Sequence, residues 1–421
     1  MVHTITSVDI GGLWGLRDVH VEFQDDVNFL IGPNGSGKTT IVDIIAATLT
    51  ASRRSLYRLP FERCRISLRE SEHQTTATLD VSKEKTDSGV AKVVYRVSAP
   101  PLTEREYTLQ EPPPNLYLSV SDRLKSHPRE RSLSDEIAEL VDVQWVSVSR
   151  AAVPRAGKLE KEYETTVDVK LDEVRDRFVR YAGRLSNRSS RLVTSIIESM
   201  FESLALRPSF PVALTSLRGD LKKERETICE MFSTISWLDV ERSEPHIDSL
   251  FQVLDTAATK QDDDAAFLPD EIGAIFALSR LRTLEQQWTR TQERRSKILK
   301  PLDQFFSLLN GFFKGKRIEK NESNEISVVL LTNNDRLDLR QLSSGEKQMI
   351  ILLGEALLQQ GKPSIYLADE PELSLHIEWQ ERLVSSVREL NPNSQLIFAT
   401  HSPDIVGVYE DRTIDVSKMI R

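Results

Sequence analysis

VNFLIGPNGSGKTTIVDII, Val27 to Ile45, places an apolar run, a glycine-rich turn and a helix-spaced apolar pattern in immediate succession. The turn itself, GPNGSGKT from Gly32 to Thr39, fits GxxxxGK[ST], a strand-to-helix loop that cradles phosphates. Its glycines let the backbone wrap so that N–H groups point inward, where the positive end of the following helix adds to the attraction for an anion. Lys38 supplies a point charge for the β- and γ-phosphates, and the Thr39 hydroxyl is a ligand for Mg²⁺. With glycine at about 7% of residues, the pattern arises by chance on the order of once per hundred chains of this length, and the strand-helix context lowers that further. The candidate nucleotide-binding residues are Gly32, Pro33, Asn34, Gly35, Ser36, Gly37, Lys38, Thr39 and Thr40. A phosphate loop alone leaves kinases, GTPases and helicases open.

The C-terminal third narrows that choice. SIYLADEP, Ser364 to Pro371, is an apolar strand ending in two carboxylates, at the end of the strand where open parallel sheets bind ligands. Adjacent strand residues face opposite ways, so Asp369 can face Mg²⁺ while Glu370 activates or orients an attacking water. Taken alone, the pair reads rather as a turn or helix cap. LSSGEKQ, Leu342 to Gln348, opens an apolar helix, with Ser343 as its N-cap and Glu346 as capping-box partner three residues on. That helix start, with the Ser343 hydroxyl and the Gly345 N–H, is also a receptor for a phosphate, including one held by another subunit. QLIFATHSPDIV, Gln395 to Val406, delivers His401 at the end of a buried strand. Loop, helix-opening turn, carboxylate strand and histidine, in that order, can surround a γ-phosphate.

This series resembles the ABC-ATPase superfamily, with LSSGEKQ in place of the transporter signature LSGGQ, YLADE as carboxylate strand, PELSLH as D-loop and His401 as switch histidine. Within it the chain is similar to the non-transporter branch of RecF, SMC and OLD-type proteins. The string DEPELSLH…WQ…THSP, Asp369 to Pro403, is especially like the OLD-related ATPases of bacterial phage defence. The resemblance is close over roughly residues 1 to 50 and 305 to 405, and elsewhere extends only to layout. It implies ATP and Mg²⁺ as cofactors, Glu370 and His401 as catalytic groups, and Thr39 and Asp369 as metal ligands. It implies too that Ser343 and Gly345 grip ATP across a head-to-tail homodimer or higher homo-oligomer, with Ser374 and His376 at the seam. Gln144 is the candidate for the family's Q-loop glutamine, with a polar strand edge as the alternative. Trp14 either stacks on adenine or covers a sheet edge.

The fold class expected is α/β: a P-loop ABC-ATPase head, mostly parallel sheet flanked by helices plus an antiparallel β lobe, with a helical insertion. Strands are predicted at about 3–10, 18–24 and 27–31, broken by GGLWG, Gly11 to Gly15. Period-two runs between about 63 and 110 predict antiparallel hairpins, with Asp87, Ser88 and Gly89 at one turn and Pro112 to Pro114 as a boundary. Residues 1–112 then form the first part of the head, 113–315 a mainly helical insertion containing a head strand in VDVQWVSVSR (Val141 to Arg150), and 316–421 the second part. Helices are predicted near 168–205, 216–235 and 270–313, with QDDDA, Gln261 to Ala265, as an exposed acidic loop. After 325, strands at 325–331, 364–369 and 395–399 alternate with helices at 344–360 and 376–390, which implies parallel strands joined by crossovers.

At 421 residues, 39% apolar and 28% charged, the chain has ample core material for more than one domain. No apolar run is long enough to span a bilayer, and the N-terminal segment lacks a secretory layout, so a cytoplasmic protein without a membrane partner is expected. Cys64 and Cys229 stand in no metal-ligand spacing and read as two buried thiols. The net charge of -9 gives no whole-chain attraction for nucleic acid, although the arginines between Arg175 and Arg191 leave a local patch possible.

Two functions remain open. One is an ATP-driven switch that controls a separate nuclease or toxin, since only a short segment follows His401. The other is a RecF-like repair ATPase, which would bind DNA with a steep salt dependence. A transporter subunit is disfavoured by the long separation of Lys38 from Ser343.

Overall fold

In the computed structural model the described residues are 3–70, 75–85, 91–99, 104–110, 128–147, 152–154, 163–205, 217, 220–233, 240–262 and 266–419. The turn at Asp87 to Gly89, the Pro112 to Pro114 boundary and Asp263 to Ala265 lie outside them. The chain divides into two compact units, one formed by Met1–Ala182 with Pro301–Arg421 and the other by Gly183–Lys300.

In the first unit the strands are β1 (His3–Leu13), β2 (Arg17–Glu22), β3 (Val27–Ile31), β4 (Arg63–Glu70), β5 (Thr76–Lys85), β6 (Ala91–Ser98), β7 (Arg105–Leu109), β8 (Val143–Ser147), β9 (Ala152–Pro154) and β10 (Tyr163–Thr165). After the second unit come β11 (Lys316–Lys320), β12 (Ile326–Leu330), β13 (Arg336–Leu337), β14 (Ser364–Asp369), β15 (Ser394–Ala399) and β16 (Thr413–Asp415). Two large sheets result. One is antiparallel, in the order β2-β1-β4-β5-β6-β7, and the other is wholly parallel, in the order β16-β3-β15-β14-β8.

The parallel sheet explains the near-continuous apolar runs of its strands. All of β15 is buried, and so are the first five residues of β14, as expected of strands covered on both faces. Helix Lys38–Leu49 and the almost wholly buried helix Ser344–Leu358 supply apolar cover. A buried amide fastens this sheet to the antiparallel one: Gln395 accepts from the Ile5 N–H at 2.8 Å and donates to the carbonyls of Ile5 and Gln24 at 2.8 Å each. Because its oxygen and both of its N–H groups are partnered, the cost of burying this amide in the core is offset.

Helix Ser344–Leu358 is held on another flank by the start of helix Thr166–Ala205. Glu355, fully buried, pairs with Lys170 at 2.8 Å and Arg177 at 2.7 Å, while Lys347 pairs with Asp168 at 2.8 Å. Gly354 is required there, because a β-carbon would stand 2.6 Å from a methyl of Val174. Arg177 and Arg175, the latter paired with Asp172 at 2.8 Å, therefore serve internal contacts, which weakens the basic-patch reading of Arg175 to Arg191.

The second unit is helical. Helices Leu221–Ser233, Val240–Asp262 and part of Pro269–Phe312 surround a core that includes Ile228, Phe251, Leu254, Ile275 and Leu278. The pairs Lys260–Glu271 (2.8 Å) and Arg225–Asp248 (2.5 Å) join its helices.

Several expectations are corrected. The strand at 325–331 is β12, but it belongs to a separate antiparallel sheet, β11-β12-β13, and not to the parallel series. Its partner β11 reads KRIEK, too charged for a strand pattern, and the connection is a tight turn in which Asn321 Oδ1 accepts from the Glu325 N–H at 2.8 Å. β1 extends through Gly11 and Gly12 to Leu13, so the turn starts at Trp14. Helix Val240–Asp262 escaped the sequence pattern, its Pro245 reading as a breaker although it lies near the helix start. That helix also takes in Gln261 and Asp262, the first two residues expected in the acidic loop. Only Cys64 of the two thiols is buried.

Candidate functional site

β3, β15 and β14 lie side by side, so their C-terminal ends bring the phosphate loop, the His401 turn and the two carboxylates to one edge of the parallel sheet. The loop is built for close approach to an anion. Gly35 and Gly37 have φ of 78° and 99°, in the left-handed region that glycine tolerates without strain. Beside them the buried Ser36 hydroxyl has no hydrogen-bond partner among the described residues, an orphan that a phosphate oxygen would satisfy.

Lys38 is 4% exposed, and its ammonium donates to the carbonyls of Gly32 at 2.9 Å and Pro33 at 3.2 Å. Burial lowers its pKa, and the charges of Glu370, Asp369 and Glu372 oppose that shift. The cation therefore already faces three carboxylates and can exchange its carbonyl partners for phosphate oxygens. Thr39 donates to Asp369 Oδ1 at 3.0 Å, so the two candidate metal ligands touch across 330 residues of sequence. Among the described residues no cluster of three or more His, Cys, Asp or Glu side chains forms a metal cage. A pair of oxygen ligands completed by phosphates and water suits Mg²⁺, which retains part of its hydration shell.

Asp369 is raised from 3.8 to about 6, first by burial and then by repulsion from Glu370, Asp43 and Glu372, against the lowering effect of the bond from Thr39. Since the folded value lies above the ordinary one, Asp369 destabilises the fold increasingly as pH rises from 3.8 to about 6, and fully above that. After allowance for solvent screening at this partly exposed group, the cost is roughly 1–2 kcal/mol. Asp369→Asn is expected to raise the metal-free melting temperature near neutral pH, to lose that advantage in acid below the ordinary carboxylate range, and to weaken Mg²⁺-dependent turnover. Thermal melts across pH, with turnover assays beside them, check this.

Glu370 has φ 46°, a left-handed conformation that costs a side-chain-bearing residue of order 1–3 kcal/mol, and its N–H donates to the Ala399 carbonyl at 2.8 Å. The carboxylate strand is thereby tied to β15 just before His401. The His401 side chain is exposed, and its backbone N–H donates to Glu372 Oε1 at 2.6 Å.

Ser343 is the N-cap of its helix with a complete capping box: its hydroxyl accepts from the Glu346 N–H at 3.3 Å, and Glu346 Oε2 accepts from the Ser343 N–H at 2.9 Å. Its neighbourhood is the D-loop of its own chain. A β-carbon on Gly345 would be driven into the Ser374 carbonyl oxygen, and Gln348 donates to the Pro371 carbonyl at 2.7 Å. Lys38, Thr39, Asp369, Glu370 and His401 are thus gathered at one sheet edge, while the contacts of Ser343 and Gly345 go to Glu346 and Ser374. Gly345→Val is expected to lower turnover at least tenfold while leaving the phosphate loop's ATP affinity within about threefold, because the loop's own contacts, Lys38 on the Gly32 and Pro33 carbonyls, are left in place. Nucleotide titration beside a turnover assay separates the two effects.

Of the two remaining candidates, Gln144 lies on β8, at the sheet's edge, and accepts from Arg177 at 3.4 Å. Trp14, with φ 54°, carries its ring against Gly37, so close that a β-carbon there would sit 2.5 Å from it. Glu372, within DEPELSLH, is a residue of the site that the motif pattern does not single out. A third acid three residues after Asp369 was the available signal.

A family model described as "AAA domain, putative AbiEii toxin, Type IV TA system" matches residues 243–407. Over 432 aligned positions the chain is 21% identical to the "Retron Ec83 probable ATPase" of Escherichia coli, covering 96% of this chain and 71% of that one. It is 26% identical over 103 positions to the "Septu protein PtuA" of Bacillus thuringiensis, covering 21% of this chain and 26% of that one. The chain is an ATPase similar to these proteins. Among solved structures, an Smc head domain from Pyrococcus furiosus aligns over 96% of this ATPase and 91% of that chain, at 16% identity and a TM-score of 0.43. Among the described residues of the ATPase no helix is long and apolar enough to cross a membrane.

Proposed function

We propose that this ATPase is a nucleotide-driven switch whose two copies close head to tail over ATP and pass that closure to a separate effector, in bacterial anti-phage defence. One observation carries the reading. The phosphate loop, carboxylates and histidine converge at one sheet edge, while Ser343 opens a helix, suited at its start to a phosphate, whose Gly345 and Gln348 meet the D-loop of their own chain. A second copy supplies the missing wall.

In this reading Gly32 to Thr40 wrap the phosphates, with Lys38 on the β- and γ-phosphates. Thr39 and Asp369 hold Mg²⁺, which neutralises charge on the phosphates when bound. Glu370 orients the attacking water and accepts its proton, and His401 contacts the γ-phosphate. Ser343 and Gly345 of one copy meet the γ-phosphate held by the other. ADP lacks the group gripped from across the seam, which gives closure and reopening a physical cause.

The defence setting rests on the likeness of DEPELSLH…THSP to phage-defence ATPases and on relatives that carry retron and Septu names. Ser343→Arg tests the assembly: it is expected to bind ATP as tightly as the wild type yet remain monomeric in sedimentation with a non-hydrolysable ATP analogue. Dimerisation of that variant equal to the wild type's would remove Ser343 from the seam.

A further inference from the structure

We propose that Glu372 and Gln380 are positioning residues that fasten the D-loop to the His401 turn, so that the histidine and the dimer-facing loop of one copy move as a unit. The inference deepens the site reading above and rests on it.

Between the end of β15 at Ala399 and the short helix Pro403–Val406, only three residues hold His401 in place. Two side-chain clamps act on that span. Glu372 Oε1 accepts from the His401 N–H at 2.6 Å, and the Ser402 hydroxyl donates to Gln380 Oε1 at 2.6 Å. Gln380 Nε2 then donates to the Leu375 carbonyl at 2.9 Å, so the second clamp ends in the same Pro371-to-His376 segment as the first. Ser374 within that segment and Glu370 just before it are both left-handed, at φ 68° and 46°. On its far side it carries the signature helix, through Gly345 against the Ser374 carbonyl and Gln348 on the Pro371 carbonyl.

Beyond the charge it adds to the field at Lys38 and Asp369, the Glu372 side chain has one hydrogen bond among the described residues, to the His401 N–H. Its second oxygen is buried without a hydrogen-bond partner among the described residues, an arrangement costly enough to call for a reason. A charge-assisted bond to the N–H of the residue that meets the γ-phosphate is such a reason, because it fixes the backbone from which the ring projects. Phosphate and metal contacts lie on the loop, Thr39 and Asp369, so loss of the clamp acts on turnover and not on ATP affinity.

Steady-state hydrolysis by the full chain tests this. Glu372→Ala is expected to lower kcat about tenfold with KM for ATP within about threefold, as misplacement of a catalytic group does. Glu372→Gln, which retains an acceptor oxygen, is expected to recover most of the loss. Combined with His401→Ala, Glu372→Ala should add nothing, since it acts through that residue. Gln380→Ala should show the same pattern with a smaller loss, and decides the matter if Glu372→Ala does not fold. Multiplying losses in the double variant, a Glu372→Gln as impaired as the alanine variant, or unchanged kcat in both single alanine variants would overturn the proposal. If His401→Ala turns over ATP as fast as the wild type, the site reading falls with it. An impaired His401→Ala beside unaffected clamp variants removes the proposal alone.

Discussion

Lys38→Ala is expected to weaken ATP binding by about two orders of magnitude in calorimetric titration and to bring hydrolysis below detection. The size follows from what the ammonium is placed to do. A buried cation that already faces Glu370, Asp369 and Glu372 is the main local counter-charge for an incoming triphosphate. Deleting it removes charge-assisted bonds worth roughly 3 kcal/mol in total and leaves three carboxylates to repel the ligand. The fold should survive, because the ammonium's present bonds go to carbonyls of an exposed loop, Gly32 and Pro33. Equal affinity in the variant would mean that the loop does not hold the phosphates.

Glu370→Gln separates binding from chemistry in the other direction. The amide is isosteric and keeps the left-handed backbone, but it cannot accept the water's proton, so kcat is expected to fall about 10²–10³-fold while ATP affinity is kept or improved. Removing one negative charge from beside Lys38 and Asp369 works the same way. With hydrolysis stalled, the ATP-closed dimer accumulates, and light scattering should show a doubled mass with Mg²⁺–ATP and the monomer mass with ADP. A variant that stays monomeric in saturating Mg²⁺–ATP would remove the dimer.

Much of this site was legible in sequence because each part is a local pattern with a local physical cause. The loop needs glycines at fixed positions, the N-cap needs Ser343 with Glu346 three residues on, and a carboxylate at a strand's C-terminal end needs only the strand to be recognised. Those patterns yielded β3, β14, β15 and the helices that follow the loop and the signature, within a residue or two of the observed ends. What escaped depends on contacts between distant segments. β11 is charged along its length and becomes a strand only by pairing with β12. Glu372 looks like one more acid in a polar loop until β15 brings the His401 N–H to it. Likewise the alternation after residue 325 could not reveal which sheet β12 joins, since strand period and strand partner are separate facts.

The head-to-tail site has a direct test in mixed subunits. A Lys38→Ala copy and a Ser343→Arg copy are each expected to be inactive, because neither can build a complete site with copies of itself. In a heterodimer, the intact Lys38 of one copy faces the intact Ser343 of the other, and one complete site reforms. An equal mixture should therefore recover hydrolysis that neither component shows alone. A mixture as inactive as its two components, at concentrations where the wild type dimerises, would contradict the composite site.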